Sequence, residues 1–206
     1  MSQLGERSCV AFLAKRRSMA ASPGDPSRCN PTVDLPYQPF WCEENVWQLC
    51  QDRRIDGRRW ALILTGVGGE VVALWSQRAA AAGEAITWDY HVVMLTEADG
   101  AWLAWDPDCV LGPVLPAGRW LDASFPCSQG VHPAYQPRFR LVAGDEYVAH
   151  LRSDRSHMRD GNGGWLKPPP IWPPPGDGGM NLGEWLAPDG GRGTILDLEA
   201  LRRLIG

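Results

Sequence analysis

No stretch of this chain approaches the roughly 20 consecutive apolar residues that a membrane-spanning helix needs, so no such helix is expected. Positive charge is not in excess either. The 20 Lys and Arg are outnumbered by 24 Asp and Glu, for a formal net charge of −4, which argues against the basic face of a nucleic-acid binder. The cysteines, at 9, 29, 42, 50, 109 and 127, include no CxxC pair, so the usual spacing of a structural zinc site is missing. The first residues, Met1 to Met19, lack the apolar core and small-residue cleavage site of a secretory leader. A cytoplasmic location is the expectation, and with it reduced thiols rather than disulfides. Each cysteine is then either core filler or a reactive group. Phenylalanine is scarce, at 4, beside 11 Trp. That balance suggests amphipathic walls in which the indole ring packs while its N–H finds an acceptor.

The bulk composition is otherwise ordinary: 206 residues, 44% hydrophobic and 21% charged, enough for one domain with a full core and short for two. With 18 Pro and 23 Gly, much of that domain should be ordered loop. Residues 1–36 read as a disordered tail. There Lys15-Arg16-Arg17 sits near Val10, Phe12 and Leu13, and residues 22–36 form a Pro/Ser/Asp stretch that packs poorly. A transit peptide is the less favoured reading, because Glu6 interrupts a short basic start. Residues 37–206 are expected to form a single domain.

From Cys42 the pattern turns helical. Val46, Leu49 and Cys50 share one stripe, and Glu43 and Glu44 occupy the first turn, where acidic groups complement the helix dipole. Residues 59–65 read as a buried strand, 66–69 as a turn and 70–75 as its hairpin partner. Residues 87–95 (TWDYHVVML) form the strongest strand; Asp99-Gly100 is a hairpin signal, and 101–105 is the returning strand. Residues 124–130 read as loop and 138–142 as a further strand. A helix is expected at 145–151, then a long Pro-rich loop at 153–175, and an amphipathic helix at 197–204 with Leu198, Leu201 and Ile205 on one stripe. There is no internal repeat. The class is α+β, with helices flanking a largely antiparallel sheet.

Three positions carry chemistry. Cys42 lies at the N-terminal edge of the expected helix, where orphan N–H groups and the dipole lower a thiol pKa and can serve an oxyanion hole. Cys50, inside the helix, reads as core. His91 lies on a strand, whereas His132, His150 and His157 fall in loops or at a helix end. A histidine among apolar neighbours is also a common core residue. Asp106 and Asp108 follow the Asp99-Gly100 turn. A two-residue loop pairs His91 with Asp108 and Val93 with Asp106, and a four-residue loop places Asp106 opposite His91. In both registers the three groups share one face, whereas a three-residue loop would put them on opposite faces; on one face a carboxylate can fix the His91 tautomer. Periodicity does not choose between Asp106 and Asp108, and two acidic residues simply ending a strand is the plain alternative.

The strings WCEENVW (41–47), WDYHVV (88–93), WDPDCVL (105–111) and SDRSHM (153–158) resemble those of protein N-terminal glutamine amidohydrolases. The order continues through Gly164-Trp165, the Pro-rich run and Met180-Asn181-Leu182, and so spans the chain from about Tyr37. The first 35 residues depart from the family, and Pro107 and Cys109 read as local substitutions. The resemblance implies a Cys42, His91 and Asp106 triad on an α-β-α sandwich related to papain-like and transglutaminase-like enzymes, acting as a monomer. It further implies that the partners are proteins or peptides with a free N-terminal Gln, deamidated to Glu through a thioester without metal or organic cofactor. In eukaryotic relatives the product Glu feeds a degradation pathway.

Such a substrate must be recognised by its α-ammonium. Glu43, Glu44 and Asp89 are candidates, although Glu43 and Glu44 are equally placed to be dipole partners only. Trp41, Trp88 and Trp165 are candidate pocket walls or packing, and Asp154 and Arg155 either line the entrance or belong to a solvated loop. Asn is one methylene too short to bring its amide carbon to sulfur once the α-amine is fixed. Two rivals stand beside this reading. One is a broader thiol deamidase, transglutaminase or protease; the other is a protein presenting residues 167–175 to an SH3 or WW domain.

Overall fold

The computed structural model describes residues 35–126, 130–189 and 191–206; the expected tail falls outside them except for Leu35 and Pro36, and Leu35 packs against the core instead of trailing free. The fold is built around strand β1 (Arg58–Gly66), which is buried on both faces from Ala61 onward. Seven further strands follow: β2 (Val72–Trp75), β3 (Ala85–Trp88), β4 (His91–Ala98), β5 (Ala101–Trp105), β6 (Val114–Pro116), β7 (Pro137–Ala143) and β8 (Thr194–Leu196). The helices are α1 (Cys42–Gln51), α2 (Ala117–Ser124), α3 (Gly144–His150), α4 (Leu182–Leu186) and α5 (Leu198–Ile205). Six strands form one antiparallel sheet in the order β6-β5-β4-β1-β7-β8, while β2 and β3 pair separately.

Alternation along the central strands sends side chains to opposite faces of the sheet, and each face is covered by helices. Ala61, Ile63, Val92 and Met94 pack with Val46 and Leu49 of α1, Tyr147 of α3 and Trp185 of α4. Leu62, Leu64, Val93 and Leu95 pack on the other side with Trp120 and Leu121 of α2 and Leu201 of α5. The result is a mixed α/β fold on a mostly antiparallel sheet, with helices on both faces as the pattern implied. Arg140, buried in β7, donates to the carbonyls of Trp185, Ala187 and Arg192 and fastens the α4–β8 segment to the sheet.

Several elements differ from expectation. Residues 70–75 do not pair with β1, because β4 and β7 already occupy both of its edges; β2 pairs with β3 instead. The apparent strand at 87–95 divides at Asp89-Tyr90, so His91 opens β4 rather than lying within a longer strand. Alternating apolar residues read continuously across that break, although the halves belong to different sheets. Helices α2 and α4 and strands β6 and β8 had no clear signal. In α2 only Trp120 and Leu121 are large apolar residues, and no side chain caps its N-terminus. The Asp99-Gly100 turn forms as a two-residue loop, with φ of 51° and 79° and Ala98 opposite Ala101, the left-handed pair of a type I′ hairpin.

The two-face core makes a stability prediction. Phe139 is fully buried, edge-on to Phe125, and its replacement by Ala is expected to cost about 3–5 kcal/mol. Ile171 is 97% exposed, and Ile171→Ala is expected to stay within about 0.5 kcal/mol. Urea denaturation of both variants checks the contrast; equal losses would contradict this packing.

Candidate active site

The first turn of α1 meets the first residues of β4. Cys42 is the opening residue of α1, after an N-cap Trp41 whose side chain makes no capping bond. The Cys42 sulfur faces the backbone N–H of Val92, and Val92 directly follows His91. The helix–strand packing thus brings Cys42 and His91, nearly fifty positions apart in the chain, to one end of the sheet.

His91 Nε2 lies 3.1 Å from Asp106 Oδ1, with both side chains buried. Asp106 Oδ1 also accepts the Asp108 N–H at 3.1 Å, while Oδ2 accepts Gln77 Nε2 at 3.1 Å and Trp120 Nε1 at 3.0 Å. The ladder between β4 and β5 ends at the Met94–Trp105 pair, and the chain then turns at Asp106, with Cys109 N–H bonding back to the Asp106 carbonyl. That turn carries Asp106 to His91 even though the two-residue hairpin, extended as a ladder, would have placed Asp108 opposite it. Asp108 instead accepts the Tyr37 hydroxyl at 2.6 Å.

The charges follow from this packing. Burial opposes the protonated form of His91, but the charge and hydrogen bond of Asp106, with Asp108 and Glu43 behind it, raise its pKa above the ordinary imidazole value. Burial pushes Asp106 up, yet His91 and the Trp120 and Gln77 donors bring it below the usual carboxylate range. For Cys42 the outcome is opposite to the expectation from the helix N-terminus. Burial, then the negative charges of Glu43 and Asp108, push the thiol well above its ordinary value, and the Val92 N–H offsets only part of this. One helix end acts weakly against desolvation and two nearby carboxylates.

The substrate-binding candidates separate. Glu43 is buried beside the sulfur, with Oε2 at 3.7 Å from Cys42 Sγ and accepting the Tyr90 hydroxyl at 3.0 Å. Glu44 is also buried, but both its oxygens are occupied. Arg155 grips them through Nε at 2.8 Å and Nη2 at 2.6 Å, and Trp172 Nε1 adds a bond at 3.0 Å. Arg155 is therefore a buried anchor and not part of a solvated loop. It also donates to the Pro170 and Trp172 carbonyls, while Trp41 Nε1 donates to Pro168 O. The Pro-rich run is strapped over α1 by these bonds. Asp154 stays exposed and accepts the Ser156 N–H. Asp89 is exposed too and lines an open hollow with Gly69, Glu70 and Val71, without a contact to the sulfur. Trp88 stacks on His91, with ring centroids 6.1 Å apart, as a wall of the site. Trp41 is fully buried and meets His157 and Trp165 edge-on, so it supports the strap instead of lining an opening.

Gln77, Trp120, Tyr90 and His157 join the site without having been singled out. Tyr90 adjoins His91 in sequence and His157 lies in the SDRSHM string, so proximity to those motifs was the only signal. Gln77 and Trp120 reach Asp106 through tertiary packing that no local pattern reports. His91, Asp106 and Asp108 each place a ligand-type atom within 4.8 Å of the others. Asp106 spends its oxygens on N–H donors and Asp108 accepts Tyr37, so this donor set fits a hydrogen-bonded network better than a cation site. Among the described residues no helix is long and apolar enough to cross a membrane.

Comparison with known proteins adds a second line. A family model described as N-terminal glutamine amidase matches residues 37–204. The chain is 32% identical over 172 residues to the protein N-terminal glutamine amidohydrolase of Bos taurus, covering 79% of this chain and 83% of that one. The protein of the same name from Homo sapiens is 31% identical over 180 residues, covering 82% and 87%. That of Drosophila ananassae is 31% identical over 148 residues, covering 69% and 72%.

The His91–Asp106 contact sets a pH dependence with a definite sign. A raised His91 contributes stability that is complete below about pH 6.5, its unfolded value, and is lost as pH rises through the folded value. A depressed Asp106 contributes stability present above about pH 3.9 and lost as pH falls through its folded value. Asp106→Asn removes the charge that raises His91, so burial should take the His91 pKa below the ordinary value. NMR titration of the His91 ring checks this; an unchanged midpoint would contradict the contact.

Proposed function

The chain belongs to the N-terminal glutamine amidase family and is a hydrolase acting on amide bonds; from that premise we propose that it deamidates N-terminal Gln to Glu through Cys42, His91 and Asp106. The observation that carries the reading is the meeting of α1 and β4. It holds the Cys42 sulfur against the residue after His91, with Asp106 on the far nitrogen of the imidazole.

Because Asp106 takes Nε2, Nδ1 is the His91 nitrogen that exchanges protons with the sulfur. The Cys42 thiol gives its proton to Nδ1 as the sulfur attacks the side-chain amide carbon. The S–C bond forms, the C–N bond breaks, and His91 returns the proton to the departing ammonia. His91 then takes a proton from water as its oxygen bonds to the carbon of the γ-glutamyl thioester. The C–S bond breaks, the sulfur leaves with the electron pair and recovers the proton from His91, and Glu is released. The imidazole raised by Asp106 favours the first transfer and the thiol pushed up by burial opposes it, so the proton rests on the sulfur until the attack begins. Trp88, stacked on His91, shields that transfer from solvent. The product brings a new negative charge beside Glu43, Asp106 and Asp108, and their repulsion favours its release.

The reading extends to a monomer in the cytoplasm. In that compartment thiols such as those of Cys42, Cys50 and Cys109 stay reduced. The Pro-rich run is accounted for as the strap that fixes Arg155 and Glu44, which makes a ligand for SH3 or WW domains the weaker use for it.

Ammonia release from a Gln-initiated peptide, measured beside its Asn-initiated, N-acetylated and internal-Gln forms, tests the proposal. Release is expected only from free N-terminal Gln. It should be lost in Cys42→Ala and reduced by about 10²–10⁴ in His91→Ala. Equal release from the acetylated or internal peptides would instead indicate a broader deamidase.

A further inference from the structure

Beside the nucleophile the protein keeps buried polar atoms that make no hydrogen bond. Glu43 is 1% exposed. Its Oε2 is met by Tyr90, but its Oε1 has no hydrogen bond, and neither does either buried ring nitrogen of His157. His157 Nε2 faces Glu43 Oε1 at 3.4 Å, an ion pair when the ring is protonated, without hydrogen-bonding geometry. Leaving such groups unmet in a protein interior is costly. With the ring neutral and its proton on Nδ1, the Glu43 oxygen and the His157 Nε2 side by side form an acceptor pair suited to a group with several N–H donors and a positive charge.

We propose that Glu43 and His157 grip the α-ammonium of the N-terminal Gln, and that this grip keeps the thioester from closing on its own amine. The inference rests on the amidohydrolase reading. Once the γ-glutamyl thioester has formed, its carbonyl carbon has two nucleophiles within reach: water, and the α-amine of the same residue. Attack by the amine forms a C–N bond and breaks the C–S bond. The electron pair returns to the Cys42 sulfur, the amine gives up one proton, and the product is 5-oxoproline, a five-membered lactam, in place of Glu. Effective molarities for well-oriented internal attack reach about 10⁵–10⁸ M, so water prevails only if the amine is held off.

The site offers the means. An amine can attack only after losing a proton and folding back onto the carbonyl. A carboxylate on the ammonium keeps that proton in place and holds the side chain straight. In an extended Gln the α-nitrogen and δ-carbon are about 5 Å apart, and the corresponding span in Asn is about 3.8 Å. With Glu43 Oε2 at 3.7 Å from the sulfur, an ammonium on Oε1 leaves the longer side chain to reach it. The same ammonium offsets the Glu43 charge that helps to hold the Cys42 thiol high, so the correct substrate also eases the attack.

Glu43→Gln keeps the shape and removes the charge. The experiment compares kcat/KM for a Gln-initiated peptide with that for its desamino analogue, in wild type and in E43Q. Product masses are read at the same time, and uncatalysed cyclisation is subtracted with Cys42→Ala. In E43Q the preference for the amine-bearing peptide should shrink at least about thirtyfold, and 5-oxoproline should appear where wild type yields Glu alone. An undiminished preference with Glu as sole product overturns the proposal, and a diminished preference with Glu alone overturns its cyclisation half. If E43Q fails to fold, wild type still decides: equal turnover of the desamino and Gln peptides overturns the grip. Absence of ammonia release by wild type from any Gln-initiated peptide would overturn the amidohydrolase reading itself.

Discussion

A carboxylate survives in a protein interior only where its lone pairs are met, and the arrangement around Asp106 is built on that condition. Its acceptors are filled by His91 at the start of β4, Gln77 beyond β2, the Asp108 backbone in the following turn and Trp120 on α2. Four separate segments are registered against one another by this group. Because the donors hold Asp106 on the depressed side, its negative charge is available to raise His91, and with it the capacity of that ring to hold a proton in a dry site. Loss of any one donor changes both how the segments pack and how the histidine titrates.

A second buried carboxylate does comparable work on the opposite flank. Glu44 is saturated by Arg155 and Trp172, and Arg155 in turn ties down the Pro-rich run. Adjacent acidic residues in one helical turn therefore have unlike fates. Glu44 anchors a strap; Glu43 remains half-satisfied beside the sulfur. A buried ion pair of this kind contributes less to net stability than its short distances suggest, because desolvation offsets much of the attraction. Its effect here is positional: it fixes the loop that delivers His157 next to Glu43.

Much of this could be read in the chain beforehand, for identifiable reasons. The acidic first turn and the apolar stripe of α1 are local signals, and they placed Cys42 at a helix start. The Asp99-Gly100 turn is local too: it announced the β4–β5 hairpin but left its register open, and the structure takes the two-residue loop. Choosing Asp106 over Asp108 was not local: it depends on where the ladder stops, and the motif resemblance made that choice where spacing could not. Trp120 and Gln77 stayed hidden because their role arises from a short helix and a loop brought to Asp106 from elsewhere. Arg155 sits in a Pro- and Gly-rich stretch whose composition suggests solvent, yet its guanidinium is buried against Glu44. The direction of the Cys42 shift was misjudged for the same reason, since a helix terminus is visible in sequence while burial and neighbouring charges are not.

The central claim is that the reaction passes through an acyl group on Cys42, and interception of that group tests it most directly. Hydroxylamine added during turnover of a Gln-initiated peptide attacks a thioester more readily than water does. The account predicts an N-terminal glutamyl γ-hydroxamate whose yield rises with hydroxylamine and whose formation disappears in Cys42→Ala. Continued ammonia release with Glu as the only product at every hydroxylamine concentration, undiminished in Cys42→Ala, would contradict it.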